Sequence, residues 1–171
     1  MDLKNKDFSS VDKKYLPIPF WSLNDRLTKE ETERLIGEMD SSDIGGFFLH
    51  ARGGLETPYM GEEWFDNINY AVAEGKKRSM APFAYDENGW PSGFADGRVP
   101  ALGEKYMLKS LCRTKGAYDG KRIAEINGFT YFADINPLYS DLLDPEVTEK
   151  FIEFSYQPYI DKAPDIDGFF T

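Results

Sequence analysis

A short apolar run, GGFFLH at residues 45–50, decides the fold class of this chain. The run is too short for a helix and is continuously apolar, which is typical of a parallel β-strand buried on both faces. Comparable runs occur at residues 17–23 (PIPFWSL), 80–85 (MAPFAY) and 166–171 (IDGFFT). We therefore predict four strands of one parallel sheet.

Helical patterns lie between these runs. A capping box at Thr28 and Glu31 predicts a helix over residues 28–42. A second apolar stripe at helical spacing predicts a helix that ends near Arg78, and the proline after Asp144 marks the start of a third helix. Strands that alternate with helices indicate an α/β fold built from β/α units.

The alternation breaks over residues 94–136. Asn127-Gly128 predicts a hairpin turn, flanked by short strand-like runs. We expect a small β insertion over residues 101–135, after the third strand, within one domain that spans 1–171. The strands expected in this region cover residues 106–113, 122–126 and 129–135.

Four β/α units correspond to half of a closed eight-stranded barrel. The predicted fold class is therefore a partial (β/α)8 TIM-type barrel, with a four-stranded open sheet as the alternative. Either arrangement leaves edge strands and apolar helix stripes without a cover, so we expect self-association or partial order of the isolated chain.

The composition argues against several classes of partner. The net charge is −10, and the basic residues are scattered along the chain. Nucleic-acid binding needs clustered lysine and arginine, so no nucleic acid is expected, and an anionic membrane surface is disfavoured for the same reason.

The single cysteine, Cys112, permits no internal disulfide and no cysteine metal site, which is compatible with a reducing compartment. The first residues contain no apolar run of signal-peptide length, and no stretch has the length and apolarity of a membrane span. The cytoplasm is the expected location.

The candidate functional residues follow the predicted strands, because side chains at the carboxyl ends of parallel strands meet at one edge of the sheet. Aromatic rings there stand beside amides, carboxylates and an arginine. This mixture suits a saccharide, whose C–H face stacks on a ring while its hydroxyls take polar partners. The candidates are Trp21, Asn24, His50, Arg52, Tyr85, Asp86, Glu87 and Trp90.

Structural roles remain open for some of these residues. His50 is the sole histidine, and it could be a structural residue at a strand end. One histidine is too few for the metal centre of a metal-dependent hydrolase, so the residue types predict no metal site. Asp86 and Glu87 could cap a turn, but an acid pair between Tyr85 and Trp90 favours a functional role.

Several stretches resemble one protein family. They are PFWSLN, GGFFLHARGGLETPYMGEEW, AYDENGWPSGFADGRVP, DLLDPEVTEKFIE and the final DGFFT. They resemble the barrel domain of large bacterial glycoside hydrolases of the α-L-rhamnosidase-like group, over residues of about 17–100 and 136–171. The resemblance implies the N-terminal half of such a barrel, acting in carbohydrate metabolism. Asp86 and Glu87 would be its catalytic carboxylates, and the other six candidates would bind the sugar.

In that group the chain continues past the fourth strand into an Asp-Glu-Pro motif whose glutamate is the general acid. This sequence ends at Thr171, so we expect the general acid to lie beyond it and only one side of the carboxylate pair to be present. Some members hold a calcium ion near the sugar, and Asp86 or Glu87 could supply oxygen ligands, although two carboxylates make an incomplete shell.

The leading hypothesis is therefore a barrel fragment of a glycoside hydrolase that acts by paired carboxylates. The alternative is a non-catalytic carbohydrate-binding or remnant barrel module. An aldolase or isomerase would need a lysine or a metal cluster at a strand end, and the sequence offers neither.

Overall fold

The computed structural model describes residues 11–171. Contacts group these residues into two compact units. The first unit contains the described residues up to Trp90 together with Tyr159–Thr171, and the second unit contains Pro91–Pro158. The last segment of the chain therefore belongs to the same unit as the first.

The first unit contains a parallel sheet of four strands, as predicted. Its strands are β1 (Phe20–Leu23), β2 (Gly46–Ala51), β3 (Ala81–Asn88) and β7 (Phe169–Phe170), in the order β1-β2-β3-β7. β1 begins later than expected because Pro17 and Pro19 have no N–H to donate to a ladder. β7 is shorter than predicted, because only two of its residues pair with β3.

Two helices connect the first three strands. α1 spans Lys29–Ser41 and α2 spans Glu62–Lys77, which confirms both predicted helices. The Thr28 hydroxyl accepts a hydrogen bond from the Glu31 backbone N–H at 3.3 Å. This N-cap satisfies a backbone donor that has no partner within the helix, and it begins α1 at the predicted residue.

Both helices pack on one face of the sheet. Phe47 and Leu49 of β2 are buried in one core with Ile36 of α1 and Trp64 of α2. A Cβ atom added at Gly75 would lie 2.9 Å from the Phe47 ring. The glycine therefore allows α2 to approach β2 closely.

The other side of the sheet is a row of rings, here called the aromatic face, formed by Phe20, Phe48, Phe83 and Phe170. Successive strand residues point to opposite sides, so Phe48 lies across the sheet from Phe47. Ring centroids are 5.2 Å apart for Phe20–Phe48, 5.0 Å for Phe48–Phe83 and 4.8 Å for Phe20–Phe170. None of the four belongs to the core beneath the helices.

The second unit contains an antiparallel sheet of three strands in the order β4-β6-β5. They are β4 (Met107–Thr114), β5 (Lys121–Ile126) and β6 (Phe129–Ser140). Asn127 and Gly128 both have positive φ, at 52° and 74°, which is typical of a two-residue hairpin turn and confirms the predicted one. β6 continues past Pro137 because the β4–β6 register shifts there, so the proline needs no ladder N–H.

A helical segment completes the second unit. α3 spans Pro145–Ser155, with the Asp144 side chain as its N-cap, as predicted. The helix was expected to end near Gln157, but it ends earlier, and α4 (Gln157–Lys162) follows directly. Pro158 is tolerated because it falls in the first turn of α4, where its missing N–H would have no helical partner.

No helix between residues 11 and 171 combines the length and apolarity needed to cross a bilayer.

Candidate functional site

The candidate site is a cavity where β1 and β2 end. Parallel strands present their carboxyl ends at the same edge of a sheet, and this is where ligands bind in α/β folds. The cavity has a volume of about 310 Å³. It is lined by Phe20, Ser22, His50, Arg52 and Trp90.

Stacked rings form one side of this site. Trp90 lies nearly parallel to Tyr85 and to Phe170, with centroids 5.9 Å and 6.3 Å apart and interplanar angles of 22° and 27°. Trp90 is nonetheless 59% exposed, and Phe20 is 43% exposed. The site therefore offers aromatic surface to solvent, supported by the buried Tyr85 ring and the partly buried Phe170 ring.

His50 is the buried polar residue of the cavity, only 3% exposed. Its ring packs on Tyr85 at 4.1 Å between centroids, and its Nε2 atom lies 3.3 Å from the Gly89 carbonyl oxygen. Burial lowers the pKa of His50, and the nearby Arg52 cation acts in the same direction, against the Gly89 carbonyl and Asp86. The imidazole is therefore neutral at pH 7, when Nε2–H can donate to Gly89.

The two candidate carboxylates lie in β3, and both are 0% exposed. The Asn88 backbone N–H donates to Glu87 Oε1 at 3.1 Å. Leu49 pairs with Ala84 and Ala51 pairs with Asn88, so the β3 segment that carries the carboxylates is longer than the facing part of β2. Such a bulge redirects side chains and recurs next to active sites.

Five of the eight candidates do not line the cavity, namely Trp21, Asn24, Tyr85, Asp86 and Glu87. Trp21 is on the helix-covered side of the sheet, with its ring 5.4 Å from Phe47 in an edge-to-face contact. Trp21 and Asn24 both line a separate cavity of about 200 Å³ beside the β1–α1 connection. His50, Arg52 and Trp90 line the candidate site itself.

Sequence reasoning missed Phe20, Ser22 and Phe170 as parts of the site. The signal that could have found the first two is strand alternation, because Phe20 and Ser22 share the side of β1 opposite Trp21. Phe170 needed the pairing of β7 with β3, which brings residues far apart in sequence together.

The described residues include no cluster of carboxylates that would form most of a calcium shell. Within residues 11–171 no group of three or more histidine, cysteine, aspartate or glutamate side chains is placed to hold a metal ion. Calcium takes about six to eight oxygen ligands. Asp86 and Glu87 alone therefore do not fit the ion that the family resemblance implies.

Neither a protein-family model nor a curated protein sequence matches this chain. A search of solved structures finds the structure of a rhamnosidase from Novosphingobium sp. PP1Y. The two are 22% identical in sequence with a TM-score of 0.47, and the match covers 67% of this chain and 12% of the rhamnosidase. This chain therefore spans a small part of that protein, and the likeness is distant.

Proposed function

We propose that this chain carries the saccharide-binding side of a glycoside hydrolase, with the sugar bound in the cavity at the ends of β1 and β2. One observation supports this most directly. The exposed rings of Phe20 and Trp90 border the same cavity as the polar groups of Ser22, His50 and Arg52.

The chemistry of these groups matches that of a sugar. A pyranose ring has an apolar C–H face that packs on an aromatic ring, and its hydroxyls need hydrogen-bond partners around its edge. Trp90 is held by Tyr85 and Phe170, so its orientation is set before a ligand arrives. A pre-oriented ring loses little conformational entropy on binding.

The fold that we propose around this site is part of a (β/α)8 barrel. The four parallel strands run in chain order, and α1 and α2 pack on the same face. A doubly wound sheet would instead reverse its strand order and carry helices on both faces. In a barrel the side without helices faces the interior, which side chains fill in layers, and the aromatic face suits that position.

The proposed chemistry is hydrolysis by paired carboxylates. Asp86 and Glu87 lie in the buried part of β3. They would supply one side of the pair, with a second carboxyl group across the glycosidic bond. The distance between the two carboxyl groups is about 5 Å in retaining enzymes and about 6.5 to 9.5 Å in inverting ones.

A second function, saccharide binding without hydrolysis, is favoured by the burial of Asp86 and Glu87, which are both 0% exposed. A general acid or base must reach the bond that it protonates, within hydrogen-bond distance or through one water. A binding module has no such requirement.

The test of sugar binding is a titration of the 171-residue chain with neutral and acidic monosaccharides, followed by nuclear magnetic resonance. We expect Trp90→Ala to weaken binding by about 10-fold or more, since an aromatic contact and its buried area contribute about 1.5 kcal/mol or more. Tyr15→Ala is the matched control, because Tyr15 is an exposed ring of the same unit outside the cavity. Equal binding by both variants would refute the assignment of this cavity.

The test of hydrolysis uses aryl glycosides of the sugars that bind. Turnover that Glu87→Gln or Asp86→Asn abolishes would support the carboxylate chemistry. Binding without turnover would support the module instead.

A further inference from the structure

Arg52 is the one formally charged residue among the five that line the cavity. It follows β2 directly, and its backbone is fixed on both sides. Its N–H donates to the Leu23 carbonyl at 3.0 Å, and its carbonyl accepts from the Leu55 N–H at 3.0 Å. The backbone that carries this side chain is therefore fixed beside the cavity.

The guanidinium group of Arg52 has no hydrogen bond or ion pair with any residue of the described range 11–171. The chain has seven arginines, all of them in this range. The other six each have a partner, which is a carboxylate, a carbonyl or an aromatic ring. They are Arg26, Arg34, Arg78, Arg98, Arg113 and Arg122.

This difference is notable in an acidic protein. The chain has 30 acidic and 20 basic residues, so partners for a cation are plentiful. The cation of Arg52 is instead close enough to His50 to lower the pKa of that imidazole, while it lines an open cavity. An arginine so placed keeps its donors available to a ligand.

We propose that Arg52 is a specificity-determining residue that pairs with the carboxylate of an acidic sugar, so that the site prefers a hexuronate to the neutral hexose. This inference rests on the proposed saccharide function. The planar guanidinium matches a carboxylate through two parallel hydrogen bonds. One guanidinium also balances the single charge of a carboxylate, whereas a sugar phosphate carries a charge of about −1.5 to −2.

The geometry of the ligand follows from this pairing. The sugar ring stacks against Trp90, its carboxylate faces Arg52, and its hydroxyls reach Ser22 and His50. A neutral sugar would keep the stacking but leave the guanidinium without its ionic partner.

The experiment compares galacturonate and glucuronate with galactose and glucose, titrated into the full chain and followed by nuclear magnetic resonance. The imidazole of His50, the only histidine, and the indole of Trp90 report binding at this site. We expect the native chain to bind either galacturonate or glucuronate about 10- to 100-fold more tightly than the neutral sugar of the same configuration. This factor corresponds to the contribution of hydrogen bonds between charged groups to the binding free energy.

Three variants locate the effect. Arg52→Gln should reduce uronate affinity to the neutral level, and Arg52→Lys should restore part of the preference by keeping the charge. Arg122→Gln removes one positive charge in the other unit and should behave like the native chain. Unchanged spectra away from the cavity would establish that each variant is folded.

Equal affinity for acidic and neutral sugars, or a preference that survives in Arg52→Gln, would overturn the inference. The proposed saccharide function would stand in that case, because neutral sugars would still perturb Trp90. If none of the four sugars perturbs His50 or Trp90, both proposals fail.

Discussion

The burial of His50 makes the free energy of unfolding of this chain depend on pH. Burial favours the neutral imidazole, so the folded-state pKa lies below the ordinary value of 6.5. Below pH 6.5 the unfolded chain therefore binds more protons than the folded one. The contribution of His50 to the free energy of unfolding is fully present above pH 6.5 and is lost as the pH falls through the folded pKa.

We predict that the imidazole proton signal of native His50 titrates below pH 6.5, and that the free energy of unfolding in urea falls between pH 7 and pH 5. The variant His50→Gln should lack the histidine part of this fall, which separates it from carboxylate titration. A His50 signal that titrates at or above 6.5 would contradict the prediction.

At the scale of single residues, position at a strand end predicted three of the residues that line the cavity, whereas the direction of each side chain could not be predicted. His50, Arg52 and Trp90 follow from the rule that strand ends carry function, and all three line the cavity. The placement of Trp21 depends on which alternate set of β1 residues faces the helices, because successive side chains of a strand lie on opposite sides. The run at residues 17–23 has apolar residues in both sets, so it did not determine which set faces the core.

α1 and α2 each contain one glycine, and the surroundings of the two glycines differ. Gly37 of α1 has nothing within 4 Å of an added Cβ, whereas Gly75 of α2 faces the Phe47 ring. Glycine costs a helix interior about 0.5 to 1 kcal/mol relative to alanine, but overpacking a core costs about 1 to 3 kcal/mol.

We therefore predict that Gly37→Ala raises the free energy of unfolding by about 0.5 to 1 kcal/mol, and that Gly75→Ala lowers it by about 1 kcal/mol or more. Chemical denaturation of both variants measures the two effects. If Gly75→Ala were as stabilising as Gly37→Ala, the close contact between α2 and β2 would be wrong.

Elements were predictable where local chemistry defines them. Thr28 and Asp144 are N-caps with their own hydrogen-bonding side chains, and both helices begin at the predicted residues. Asn127-Gly128 likewise specifies its turn. The extension of β6 past Pro137 could not be read locally, because it depends on a register shift against β4.

At the scale of the molecule, both sheets have edge strands that pair on one side only. β1 and β7 each have one neighbouring strand, as do β4 and β5, within the described part of the chain. Exposed edges favour association between copies, whereas a net charge of −10 opposes it. Salt screens that repulsion beyond about 10 Å at 0.1 M ionic strength.

We predict that self-association, measured by sedimentation equilibrium, increases as salt is raised at constant protein concentration. Ile123→Lys adds a charge at an exposed position of the edge strand β5 and should reduce association through that edge. A chain that stays monomeric at every salt concentration would contradict the prediction.

The pairing of β7 with β3 has a kinetic consequence. The β5–β6 hairpin closes across the two residues of one turn. Phe170 and Tyr85, by contrast, are separated in the sequence by the whole of the second unit, Pro91–Pro158. Contacts between residues distant in sequence form slowly, because loop closure loses entropy before the contact stabilises it. The ring stack around Trp90 is therefore expected to be among the last parts of the chain to assemble, well after the hairpin has formed.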